Sequence, residues 1–191
     1  MTLTKSIIRV ALATGLLLLI PLTAKLFLPG MPWSVGDFVA AGILLFGAGL
    51  TFVLIARLGN TPTYRMAVGV AVAAGLLLVW ANLAVGLVGS EDNPVNLLYG
   101  AVLAVAIIGA IAARFRPSGM SYAMFAAALT YVVVTIIALF IWKPSADTAE
   151  HAVGLVNVLG ANAGFAALWA GSGWLFRRAS ATGSHPNRQL V

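Results

Sequence analysis

The groups in this chain that could do chemistry are few: five acids, two histidines and no cysteine among 191 residues. The acids gather in three short stretches, Ser34-Val-Gly-Asp37, Glu91-Asp92-Asn93-Pro94 and Asp147-Thr-Ala-Glu150-His151. Carboxylate oxygens from separate loops are donors for hard cations, and an imidazole adds a nitrogen. Asp37, Glu91, Asp92, Asp147, Glu150 and His151 could therefore ring one cation-attracting mouth. No histidine–acid spacing of the H-E-x-x-H kind occurs, so no metal and no other cofactor is expected. Each stretch also has a plain structural reading. Ser34 and Asp147 are N-cap candidates with an acid three residues on, and Asn93 caps with Pro94 in the first helical position.

Four asparagines form the second group. Asn82, Asn157 and Asn162 lie inside apolar stretches, and Asn96 sits one turn into another. Gly75, Asn82 and Gly86 share one helical face; Asn157, Gly160, Ala161, Gly164, Ala167 and Gly171 share another. Small residues at such spacing let membrane helices approach closely, and an amide then bonds across the seam. The other reading is a polar pocket open to one side of the membrane, lined by these amides with Trp80 and Tyr99.

The missing residue types narrow the chemistry. Without cysteine there are no disulfides, thiolate metal sites or cysteine nucleophiles. Bis-histidine haem needs facing histidines inside spans, whereas His151 sits at a rim and His185 in the tail. Proton-coupled transport favours an acid or histidine near the midplane, and the acids and histidines of the apolar stretches all sit at their ends.

The elements that must position these groups are transmembrane helices. The chain is 61% hydrophobic and 8% charged with a mean hydropathy of +1.02, against about 25% charged in a soluble domain. Six apolar segments are read at about 7–28, 37–56, 66–88, 95–113, 120–142 and 149–176, making 1–178 one six-helix transmembrane domain and 179–191 a mobile polar tail. A signal peptide competes for the first segment, since Leu22-Thr23-Ala24 resembles a cleavage site. The apolar run continues through Leu28, however, long for a signal core. Pro21 is expected to bend it.

Charge fixes the orientation. With the N-terminus inside, Lys5, Arg9, Arg57, Arg65, Arg114, Arg116, Arg177, Arg178 and Arg188 face the cytoplasm, and only Lys25 and Lys143 lie outside. Such a bias over short loops places both termini in the cytoplasm. Lys25 sits three residues short of an apolar end, so its stem can snorkel to the headgroups or its ammonium can pair with Asp37. The net charge of +6 is explained by this bias rather than by nucleic acid, because the basic residues flank spans instead of clustering. The expected fold class is an all-α polytopic bundle of six transmembrane helices.

Trp33-Ser-Val-Gly-Asp-Phe38, Asn82-Leu-Ala-Val-Gly-Leu-Val-Gly-Ser-Glu-Asp-Asn-Pro94 and Ala113-Arg-Phe-Arg-Pro117 resemble a family of small bacterial inner-membrane proteins. The Gly-Ser-Glu-Asp-Asn-Pro loop is the most specific part. The resemblance implies a bacterial inner membrane and no particular activity. Three roles stay open from the residues. The first is a non-enzymatic accessory or scaffold subunit whose partners are the lipid bilayer and another membrane protein, or a second copy, met through small-residue faces. The second is a small transporter or channel with an acidic outer mouth built from Asp37, Glu91, Asp92 and the asparagines. The third is an outer-leaflet enzyme acting on lipid or envelope precursors, which requires a catalytic acid.

Overall fold

The computed structural model describes residues 2–28, 30–85, 87, 94–142 and 149–183, with side chains at 141–142, 149–158 and 183 outside the description. Among the described residues there are six α-helices and one 3₁₀ turn, and no strand. They are α1 (Leu3–Phe27), α2 (Val35–Ala56), α3 (Pro62–Ala84), α4 (Gly100–Ala112), α5 (Pro117–Trp142) and α6 (Ala149–Gly183), with the 3₁₀ turn at Pro94–Tyr99. Five stretches are long and apolar enough to cross a membrane: α1, α2, α3, the 3₁₀ turn with α4, and α5 to Phe140. In hydrocarbon every backbone polar group must be satisfied inside its own segment, and a helix does so. The protein is thus an all-helical membrane protein with several spans.

The chain divides into two compact units, Met1–Arg57 and Leu58–Val191. In the first, α1 and α2 form a hairpin. Ser34 closes the start of α2 with a reciprocal capping box: its hydroxyl accepts from the Asp37 N–H at 3.3 Å, and its own N–H donates to the Asp37 carboxylate at 2.6 Å. Lys25 donates to the Trp33 carbonyl and lies 5.9 Å from the Phe38 ring centre, so it ties the end of α1 to the turn before α2. At the opposite end Arg57 donates to the Thr2 carbonyl at 3.2 Å and the Ser6 hydroxyl at 2.8 Å. Between these clasps the helices pass closely, since a side chain on Gly49 would fall 2.6 Å from a Val10 methyl. α1 runs through Pro21 without ending. Leu12, Leu16 and Ile20 stay more than 60% exposed along it, as lipid-facing residues do.

In the second unit α6 packs against α3 and α5, and α5 packs against α4. Thr61 caps α3 from its hydroxyl with Pro62 in the first helical position, where the missing N–H costs nothing. The α4–α5 connection is a Schellman turn: the Phe115 N–H returns to the Ala110 carbonyl at 3.1 Å and the Arg114 N–H to Ile111 at 2.9 Å. Arg114 and Phe115 take φ of +48° and +57° there, a region that non-glycine residues enter at a cost.

The structure departs from the sequence reading at several helix ends, three of which bear on the second unit. The fourth segment opens as a 3₁₀ turn over Pro94–Tyr99 before becoming α-helical. Asn96 and Tyr99 on this turn are buried. The third helix ends at Ala84, short of Val88. The sixth continues to Gly183, past the Ala179 at which the tail was expected to begin, and Ala179 itself is buried.

Candidate functional site

The inner face of α6 carries Asn162, Phe165, Trp169, Ser172, Phe176 and Ala179, spaced at three and four residues so that all point one way. Around Asn162 and Phe165 lies a buried polar and aromatic cluster in Leu58–Val191. Tyr99, fully buried where the 3₁₀ turn meets α4, donates its hydroxyl proton to the Asn162 side-chain oxygen at 2.8 Å. Thr135 on α5 lies 3.1 Å from that same oxygen and 2.9 Å from the Tyr131 carbonyl. It holds one proton for these two acceptors. The Tyr99 ring packs tilted on Tyr131 at 5.1 Å between centres, and Tyr131 stacks on Phe165 at 5.6 Å and 15°. One amide thus joins the starts and middles of three helical segments.

Three buried atoms of this unit have no hydrogen-bond partner among the described residues: the Asn82 side-chain oxygen, the Tyr131 hydroxyl and the Trp169 indole nitrogen. Asn82 turns its amide N–H back to the Leu78 carbonyl of its own helix at 2.8 Å. A side chain on Gly75 would lie in ordinary contact with the Trp169 ring, at 3.9 Å. Deprived of water, such polar groups cost about 1–3 kcal/mol each.

Toward the far ends of the same helices, hydroxyls lock the bundle. Ser172 donates to the Ala67 carbonyl at 2.9 Å, Ser121 to Gly173 at 2.8 Å, and Tyr64 to Phe115 at 2.9 Å. The last bond fixes α3 to the Schellman turn, and the Tyr64 ring meets Phe176 edge-on at 5.3 Å. Glycines set the approach. A side chain on Gly109 would lie 2.7 Å from Ala123, and one on Gly173 3.1 Å from Phe125.

The residues singled out in the sequence fall as follows. Asn162 stands at the centre of the cluster beside Tyr99. Asn96 is buried and its side-chain oxygen accepts from the Leu87 N–H at 3.0 Å. Asn82 is half-buried on α3. Asp37 belongs to the other unit, where its carboxylate is engaged by Ser34. Glu91 and Asp92 lie outside the described residues, as do the side chains of His151, Glu150 and Asn157. Among the described residues no three metal-ligating side chains come together.

The expected small-residue seam divides. Gly75 sits inside the bundle, whereas Gly160, Gly164 and Gly171 have nothing within 4 Å of the point where a side chain would begin. That face of α6 is opposite the one carrying Asn162. Thr135, Tyr131, Trp169, Ser121, Ser172 and Tyr64 were not singled out from the sequence. The signal that would have found them is the polar and aromatic stripe at 162, 165, 169, 172 and 176, matched by Tyr131 and Thr135 one turn apart on α5. No family model, no curated protein and no solved structure matches this chain.

Proposed function

We propose that the protein is a non-enzymatic accessory or scaffold subunit of a membrane complex, with six spans and both termini on the cytoplasmic side of a bacterial inner membrane. One observation carries this reading: the polar groups of the second unit tie its helices to each other, while the small-residue face of α6 is left open. Tyr99, Thr135, Asn162, Ser121, Ser172 and Tyr64 all bond across or along helices, a use suited to rigidity. Gly160, Gly164 and Gly171, with Ala167, form the outward face. Small residues at this spacing let another transmembrane helix come close, where packing drives association in lipid. The occupant proposed is a helix of a different membrane protein.

Gly164→Leu is the test. Blue-native electrophoresis of mildly extracted membranes should show the complex shrink to the free subunit, with the subunit's thermal stability unchanged. An unchanged complex would remove the α6 face as the contact. A small transporter is the second reading, favoured by the buried Asn82 oxygen, Tyr131 hydroxyl and Trp169 nitrogen, which have no partner among the described residues.

A further inference from the structure

A groove of about 250 Å³ opens between the start of α5 and the end of α6, lined by Ser118, Ser121, Tyr122, Phe125, Arg177 and Ser180. The donors within it can be counted. Ser121 gives its proton to the Gly173 carbonyl at 2.8 Å and Ser180 gives its own to the Arg177 carbonyl at 2.7 Å, so these two hydroxyls are engaged. The Arg177 guanidinium and the Ser118 and Tyr122 hydroxyls remain, and none of the three has a partner among the described residues. The neighbouring Arg178 is stacked on Trp174, 3.8 Å from the ring centre, which leaves Arg177 as the cation of the groove. No acid lines it. Phe125 forms its apolar wall and is held in place against Gly173, whose missing side chain makes the fit.

We infer that this groove binds the phosphate of an anionic phospholipid. A guanidinium flanked by two neutral hydroxyl donors matches the oxygens of a phosphodiester, which arginine can grip with two parallel bonds. The lipid source follows from what continues beyond the groove. Ser118, Tyr122, Phe125, Leu129 and Val133 lie on one face of α5, and Tyr122, Leu129 and Val133 are 78%, 66% and 45% exposed. The face thus changes from hydroxyl to aromatic to aliphatic as it enters the span, the polarity profile of a headgroup and its acyl chain. A zwitterionic lipid would bring a cationic choline toward Arg177, so an anionic headgroup is preferred. This site does not depend on the accessory role.

Native mass spectrometry of the full-length protein, supplied with phosphatidylglycerol or phosphatidylcholine, tests the inference. Phosphatidylglycerol adducts should predominate. Arg177→Gln should weaken them roughly tenfold, the loss of one charge-assisted contact, and Ser118→Ala with Tyr122→Phe should weaken them as well. Arg65→Gln removes the same charge from an exposed position outside the groove and should leave the adducts unchanged. Equal loss with Arg65→Gln, or equal binding of the two lipids, would overturn the site. Inorganic phosphate competing the lipid away at comparable concentration would assign the groove to a free anion and overturn the lipid assignment.

Discussion

Asn162 is the residue on which the second unit turns. An amide in an apolar helix is tolerated when its bonds are made, and here Tyr99 and Thr135 both approach its oxygen. Hydrogen bonds between membrane helices contribute about 0.6 kcal/mol on average and up to about 1.7 kcal/mol. Asn162→Leu should therefore lower stability modestly, and a double-mutant cycle with Tyr99→Phe should return a coupling in that range. Zero coupling would mean that the 2.8 Å contact does no structural work. Tyr131→Phe should behave oppositely, neutral or slightly stabilising by up to about 1 kcal/mol, because its hydroxyl has no partner among the described residues. A clear loss of stability in an unfolding measurement would contradict this. Asn162 was legible in the sequence because an amide stands out in an apolar run. Thr135 was not, since a membrane threonine usually bonds its own helix, as this one also does through the Tyr131 carbonyl. Only the facing of α5 on α6 gives Thr135 a second acceptor, and facing is a tertiary fact.

At the scale of the element, the same residue type has opposite consequences on two sides of the bundle. Gly109 stands where α4 touches α5, and a methyl there would lie 2.7 Å from Ala123. Gly109→Ala should cost about 1–3 kcal/mol by overpacking. Gly164→Ala meets open space and should stay within about 0.5 kcal/mol of the parent. Comparing their thermal unfolding midpoints checks both; equal losses would contradict the packing. The sequence reading placed most helix ends within a few residues and put Gly160, Gly164 and Gly171 on one small-residue seam of α6. Composition alone does not say which face of a nearly all-apolar helix turns inward, because every face is compatible with lipid. The stripe from Asn162 to Phe176 decides it, through bulk and hydrogen bonding rather than hydropathy. The 3₁₀ start of the fourth segment was equally hidden: Asn93-Pro94 reads as an ordinary α-helix start, and the tighter winding is seen only where Tyr99 reaches Asn162.

For the whole molecule, orientation is the first expectation. Nine of the eleven Lys and Arg residues were assigned to one side by the spans, and with no cysteine in the chain single substitutions can report sidedness directly. Cysteine at Met31 should react with an impermeant maleimide in intact spheroplasts, and cysteine at Thr61 only after the membrane is opened. The reverse pattern would invert the topology. The membrane class was legible from charge depletion and apolar length, which physics ties tightly to the bilayer. The role is not tied in that way, since a hydrogen-bonded bundle serves a scaffold and a transporter alike. Native mass spectrometry of the protein gently extracted from its own membranes at native expression level separates the two most directly. An accessory subunit should emerge in fixed stoichiometry with a second membrane protein, and Gly164→Leu should abolish that mass. A monomer or homo-oligomer retaining a small polar molecule would contradict the accessory role and favour the transport reading.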